Sequence, residues 1–310
     1  MSTESPVADA TRVTVAVVSW NSHDLLKACL ESLDPLQHEV VVVDNDSSDG
    51  SAAMVAEAFP RAVLVRQSVN IGFGAAINLA SYRARGRYLL LLNTDAHARA
   101  GAIDRLADFL DGHDDYGAVA GLLVDSTGTP QRGFNVRRFP TLASFAVDFL
   151  LIDRVWPSNP ISRRYLAQDL DYERGADIEQ PAAAALMLRL DAFRRVGRMD
   201  ERFYPAWFED VDLCRRLRKA GWRISFDPGA VFEHQGGIAM RALGLRAFSE
   251  AWYRNLLLYV RKHHGRVQLG LLRALLAVGM LERMMVSLVR GDREARQVYA
   301  SVLRYAARGR

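Results

Sequence analysis

A chain of 310 residues, half hydrophobic and a quarter charged, holds enough apolar material for one large α/β domain with a helical appendage, or for two modest domains. This is a soluble globular composition, which excludes a chain disordered along its whole length. The net charge of +4 is unevenly placed: residues 241–310 carry 14 Lys+Arg against 4 Asp+Glu, a net of +10, and the remainder is acidic at −6.

Met1 to Thr11 is small, polar and without periodicity, which predicts a disordered tail over residues 1–11. It has neither the basic n-region nor the apolar h-region of a signal peptide, so a cytoplasmic protein is expected. Val13 to Ser19 is a valine-rich run with the pattern of a buried parallel strand. Periodicity then predicts a helix over Asp24–Leu33, followed by Pro35, and a strand over Glu39–Val43 stopped by the polar run Asp44 to Gly50. A helix over Ser51–Phe59, a strand over Ala62–Arg66, a helix over Gly74–Ala84 and a strand over Arg87–Leu92 come next. Helix Ala100–Leu110 and strand Ala118–Val124 complete the alternation, which argues for a mostly parallel central sheet with right-handed crossovers.

From Asp125 to Glu179 glycines, prolines and arginine pairs break the pattern, as in a functional or disordered insertion. Regularity returns as a strand over Ala182–Leu190 and a helix over Val211–Ala220. Two short strands, Trp222–Phe226 and Ala230–Phe232, flank an Asp227-Pro228-Gly229 turn. Cys29 and Cys214 fall at apolar helix positions and read as buried thiols, with no disulfide framework or zinc spacing. From Leu243 onward the chain is helical and free of proline. A domain over residues 12–240 and a basic helical region over 241–310 are therefore expected. The tail's charge-free stretch from Ala274 to Leu281 is far short of the roughly 18 residues a spanning helix needs. No nucleic-acid module occurs in it, so it is expected to rest on an anionic membrane surface, with packing on the domain or in a homodimer as the other option.

Ligands of such sheets bind beyond the carboxyl ends of the strands. Here those ends are polar: Ser19-Trp20-Asn21, Asp44-Asn45, Asn70-Ile71-Gly72 and Asn93-Thr94-Asp95. Asp95 follows a leucine strand and can hold a hard cation, Mg²⁺ or Mn²⁺, through oxygen. Asn93 can meet ribose or water. Asp44 can accept from the N3–H of a pyrimidine, Asn45 can add a polar contact, and Gly72 and Gly74 would admit a nucleotide close to the backbone. Glu209-Asp210-Val211-Asp212 gathers three acids at a helix start, more than capping requires. Asp210 shares a face with Cys214 and Leu217 and so leans toward the protein. His234 is a candidate metal or diphosphate ligand.

Together these segments resemble family 2 glycosyltransferases of the GT-A fold, and within them the bacterial rhamnosyltransferases of cell-envelope synthesis. The resemblance is carried by Val17 to Asn21, Val43 to Ser51, Asn70 to Asn78, Leu91 to Asp95, Met199 to Tyr204, Phe208 to Leu217 and Phe226 to Ala230, with His234. It implies a Rossmann-like α/β fold and an inverting transferase moving L-rhamnose from dTDP-rhamnose, with UDP-sugars as the other donor class. The acceptor would be a glycan or a polyprenyl-diphosphate-linked sugar at the inner membrane face. By position, Asp44 would read the base, Asp95 and His234 would meet metal and diphosphate, and Asp210 would be the general base of the Glu209-Asp210 pair. Ser19, Trp20, Asn21, Asn45, Asn70, Gly72, Asn78, Asn93 and Thr94 would line the nucleotide-sugar site. Two departures stand out: Asn93 replaces the usual first acid of the DxD-like motif, and Gln180 to Ala185 lacks the glycine common in relatives. A non-catalytic nucleotide-sugar-binding subunit is the rival reading. A nicotinamide-binding enzyme is disfavoured, because no Gly-x-Gly-x-x-Gly follows the first strand.

Overall fold

The computed structural model describes residues 11–33, 37–236 and 238–308; the tail expected over residues 1–11, apart from Thr11, and Pro35 lie outside them. In chain order the elements are β1 (Val13–Ser19), α1 (His23–Glu31), β2 (Glu39–Asn45), α2 (Ser51–Ala58), β3 (Val63–Gln67), α3 (Phe73–Arg83), β4 (Tyr88–Asn93), β5 (Ala96–Ala98), α4 (Ala102–Gly112) and β6 (Tyr116–Val124). Then come β7 (Val136–Arg137), α5 (Leu142–Phe149), α6 (Ile152–Val155), α7 (Pro160–Tyr165), β8 (Ala176–Asp177), β9 (Gln180–Pro181), β10 (Ala185–Arg189), α8 (Leu190–Arg195), α9 (Glu209–Lys219) and β11 (Arg223–His234). Three helices close the chain: α10 (Ile238–His263), α11 (Arg266–Val289) and α12 (Arg293–Arg308).

The sheet runs β3-β2-β1-β4-β10-β6-β11-β5, with β8 added on β11. β1 pairs in parallel with β2 and β4, β2 with β3, and β6 with β11, while β10 is antiparallel to both β4 and β6. The central strands are apolar on both faces because both faces are covered. Val13, Val15 and Val17 join a core with α1 and α4, and Ala16 joins the opposite core with α3, α8 and α9. Chain order reverses between β1 and β4, the switch point at which doubly covered sheets place their ligands.

Three regions depart from the sequence reading. The Asp227-Pro228-Gly229 turn does not divide two strands. β6 pairs on both sides of it, Asp227 with Gly121 and Val231 with Leu122, so the extra residues are absorbed as a bulge within β11. His234 is thus the last residue of that strand. The irregular segment contains helices, and α5 starts at a capping box in which Thr141 and Ser144 exchange hydrogen bonds of 2.9 and 3.2 Å. The basic tail, finally, packs. Leu256, Tyr259, Leu272, Leu276 and Val302 share a core with Phe149, Phe203, Phe208 and Val211. Among the described residues no helix is long and apolar enough to cross a membrane.

Gly279 shows how closely α11 seats: a Cβ there would lie 2.5 Å from the Phe149 carbonyl oxygen. Gly279→Ala should cost about 1–3 kcal/mol by overpacking, read as a lowered melting temperature. An unchanged melting temperature would show that α11 does not seat on α5.

Candidate active site

Register sets the site at one edge of the sheet: Ser19 of β1 stands beside Asp44 of β2, and Val18 beside Asn93 of β4. The Ser19 and Ser22 hydroxyls are 3.1 Å apart. Asn21, in a left-handed conformation at φ 47°, accepts from the Ser48 amide at 2.8 Å and donates its own amide to Ser47 Oγ, tying the β1 and β2 loops together. Asn45 Oδ1 accepts from the Ile71 amide and its Nδ2 donates to Asn70 Oδ1, which also takes the Gly72 amide. Asn45 and Asn70 are therefore occupied in shaping the loop. Asp44 is not: Oδ2 takes the Ser47 amide at 3.3 Å, and Oδ1 is buried without a partner. A buried acceptor left open beside a switch point is available to a ligand donor. Trp20, Asn93 and Thr94 remain partly accessible along this edge.

Two residues expected here are spent elsewhere. Asn78 exchanges hydrogen bonds with the Met199 amide and carbonyl and donates to Glu201, fastening α3 to that segment. Gly72, at φ +83°, has no room for a Cβ, which would meet Tyr204 at 2.8 Å and the Pro205 carbonyl oxygen at 2.9 Å. Packing and the positive φ already require glycine there.

Asp95 lies in the turn after β4 and caps no helix, since β5 follows. Its Oδ1 is 3.5 Å from His234 Nε2, and Oδ2 accepts from the Gly236 amide. Burial pushes the Asp95 carboxyl up, but His234 and the Gly236 amide outweigh it and hold the group below its usual value. His234 is stacked on Phe134, and its Nδ1 is 2.8 Å from Gln131 Oε1. Gln131 Oε1 accepts from Nδ1, which fixes the ring and presents Nε2 to Asp95, as in second-shell support of a metal ligand. One carboxylate oxygen and one imidazole nitrogen fit a hard divalent cation that completes its shell from diphosphate and water. Among the described residues no third His, Cys, Asp or Glu joins them.

On α9 the three acids part company. Asp210 is partly accessible. Its carboxylate takes the Val211 amide at 2.7 Å and the Ala183 amide, and lies 3.5 Å from Gln180 Nε2. Because the Asn93 amide donates to the Ala184 carbonyl, the Ala183–Ala184 strand entry places Asp210 beside the end of β4. Burial raises the Asp210 carboxyl, against the Val211 amide and the positive charge of Arg137. Glu209 is buried with Oε2 unpartnered, and burial reinforced by the Asp210 charge pushes it well above the usual range. Glu209 and Asp212 are the more buried, and the Asp210 carboxylate also turns toward the protein, onto the Ala183 amide.

Asp212 has no solvent exposure and receives Arg216 at 2.7 Å, Lys262 at 2.7 Å and His263 at 2.6 Å. Lys262 also reaches Asp200 at 2.6 Å. Just before α9, Trp207 and Phe208 both adopt positive φ, at 77° and 73°, a conformation that costs non-glycine residues of order 1–3 kcal/mol each. Buried Asn255 of α10 donates to the carbonyls of Tyr204, Ala206 and Trp207 and holds the turn. Sequence reading missed Gln131, Arg137, Asn255 and Lys262, and it named Asp212 only as one of three acids at the helix start. Arg137 was signalled by its place in the irregular insertion, and the others carry no local pattern.

Comparison with known proteins follows this geometry. Residues 14–170, half of the chain, match the family model described as glycosyl transferase family 2. The chain is 29% identical over 210 residues to the N-acetylglucosaminyl-diphospho-decaprenol L-rhamnosyltransferase of Mycobacterium tuberculosis, covering 63% of this chain and 66% of that protein. It thus spans just under two thirds of that relative's length. To rhamnosyltransferase WbbL of Escherichia coli it is 25% identical over 245 residues, 76% and 88% of the two chains. The fold is shared with mannosyltransferase PcManGT from Pyrobaculum calidifontis, solved with GDP-Man and Mn²⁺, at TM-score 0.54 and 19% identity over 96% of this chain and 75% of that one. It is also shared with S. aureus TarS 1-349 in complex with UDP-GlcNAc, at TM-score 0.54 and 15% identity over 97% and 93%.

The Asp212 cluster carries a pH signature. Burial raises this carboxyl, but His263, Arg216 and Lys262 outweigh it and hold it low. A folded-state pKa below the unfolded value of about 3.9 contributes stability above that pH and loses it as pH falls through the folded value. Asp212→Asn should cost on the order of 3 kcal/mol near neutrality by stranding buried cations. The gap to wild type should narrow in acid, read by denaturant titration at several pH values. A gap independent of pH would show that the cluster's charge is not what stabilises it.

Proposed function

The chain belongs to glycosyl transferase family 2, and from that membership we propose an inverting, divalent-cation-dependent transfer of a sugar from a nucleoside-diphosphate donor to an acceptor hydroxyl. The donor is dTDP-rhamnose and the acceptor a glycan or polyprenyl-diphosphate-linked sugar, a reading supported by the named activities of the relatives in Mycobacterium tuberculosis and Escherichia coli. The observation that carries the proposal is the placement of two unlike carboxylates at one strand end. Asp95 is held low beside His234, and Asp210 is held high beside Ala183. A binding subunit without catalysis has no use for that difference.

In this reading Asp44 Oδ1 accepts the N3–H of the pyrimidine, a group common to thymine and uracil. Asn93 and Thr94 border the ribose, and Asp95 and His234 hold Mg²⁺ or Mn²⁺. The bound cation supplies positive charge to the departing diphosphate. Glu209 is buried with Oε2 unpartnered, whereas the Asp210 carboxylate takes the Val211 and Ala183 amides, which suits Glu209 to the protonated role and Asp210 to the carboxylate. Asp210 takes the acceptor hydroxyl proton as the oxygen bonds to the anomeric carbon and the nucleoside diphosphate leaves. One base and no placed nucleophile give inversion. A lipid-linked acceptor brings the enzyme to the inner membrane face, and the +10 charge of residues 241–310 supports attraction to anionic lipid.

Asp210→Asn should keep donor affinity and lose about 10²–10⁴ in turnover. Wild-type turnover should rise with pH through a value above the ordinary carboxylate range, because the raised Asp210 must ionise to accept the proton. Retention of configuration in the product, or a variant that retains wild-type turnover, would refute the assignment. Asp95→Asn should abolish the Mn²⁺-dependent thermal stabilisation produced by dTDP-rhamnose. Stabilisation by UDP-sugars but not by dTDP-rhamnose would reassign the donor.

A further inference from the structure

Among the described residues, nothing covers an apolar stripe on the outer face of α11. Leu271, Ala274, Val278, Leu281, Met285 and Leu288 are all exposed, and their spacing alternates three and four residues. The opposite face, with Leu272, Leu276, Gly279 and Met280, is the one packed on the protein. An amphipathic helix seated on a domain needs one apolar face, and this helix has two.

A repeat of 3.5 residues is the seam of paired helices, in which each side chain enters a hole formed by four residues of a facing helix. A lipid surface calls for something else: a broad apolar face edged with Lys and Arg. The positions flanking this stripe are Gln268, Gly270, Leu275, Ala277, Glu282 and Met284, with no Lys or Arg and one acid. Gly270 and Ala277 instead allow another helix to come close. The geometry points to α11 as the contact between two copies of this chain, the two helices crossing antiparallel about a two-fold axis.

Size and area agree with that occupant. Antiparallel pairing sets Leu271 against Leu288, Ala274 against Met285 and Val278 against Leu281, so the smallest side chain meets the longest and the layers fill evenly. Parallel pairing would set Ala274 on Ala274 and Met285 on Met285, leaving a gap in one layer and a clash in another. Over the 18 residues from Leu271 to Leu288 the seam is about 26 Å long. Together with Val267 and Val289, which are 77% and 89% exposed, the stripe offers on the order of 450 Å² of apolar surface, at about 100 Å² for each fully exposed side chain. A standard interface takes about 800 Å² from each partner, roughly three fifths of it apolar. A two-fold contact needs one self-complementary patch, which a single helix face provides.

Light scattering and sedimentation velocity on the full chain should give twice the monomer mass of 34.6 kDa. Met285→Glu with Leu288→Glu, at side chains already 68% and 62% exposed, should give a monomer with unchanged melting temperature and unchanged donor hydrolysis. Val278→Cys chains mixed with Leu281→Cys chains should cross-link to each other far more readily than either does alone. A wild-type monomer at micromolar concentration, or a dimer untouched by the glutamates, overturns the proposal. So does a monomeric wild type that sediments with anionic vesicles through this stripe while the glutamate variant stays free, since the face would then belong to lipid.

Discussion

A carboxylate with no access to water, receiving three basic side chains, holds α9 in place. Asp212 sits one turn into α9, and two of its partners, Lys262 and His263, come from the far end of α10. Taking those charges out of water is expensive, and the cost is met only while every partner keeps its geometry. The start of α9, and with it the direction in which Glu209 and Asp210 point, is thereby tied to the end of a helix some fifty positions further along the chain. The same helix supplies Asn255, whose amide grips three carbonyls of the strained turn before Glu209. Strain and buried charge, both unfavourable alone, are arranged so that each is relieved by α10.

The sheet imposes a second, simpler order. Beyond Thr14 and Glu39 near their starts, β1, β2 and β4 are apolar until they end, so polar groups gather at their carboxyl edge. Some of them then bind one another. Asn45, Asn70 and Asn21 spend their hydrogen bonds building loops, and what is left over for a ligand is the set that the loops do not satisfy: Asp44, Asp95 with His234, and Asp210.

Sequence reading recovered much of this, for physical reasons that can be named. Val13–Ser19 is predicted and observed with the same bounds, since a double-faced apolar run has no other use in an α/β domain. The strand-end acids are visible because a carboxylate directly after four leucines or four valines has its position fixed by the sheet. The bulge in β11 was not legible. Pro228 and Gly229 look like a turn, and only pairing with β6 on both sides shows that the strand continues. Nor could residue pattern show that Asn78 and Gly72 are consumed by the segments at Met199 and Pro205. Those contacts join residues more than 120 positions apart. The basic tail was read as an appendage because its charge is conspicuous, while the apolar residues that bury it against α5 and Phe208 follow an ordinary helical period.

The grip of α10 on the turn before Glu209 also bears on how such a chain can vary. A helical C-terminal region that merely anchored the enzyme could be exchanged between relatives like a cassette. Here the exchange would have to carry Asn255, Lys262 and His263 in register with Ala206, Asp200 and Asp212. A chimera that broke that register would inherit an intact sheet and intact strand ends at Asp44 and Asp95, with Glu209 and Asp210 no longer held in place. Changes in the two halves of this protein are therefore expected to arise together, by compensating substitutions across this contact, rather than by recombination at the junction after β11.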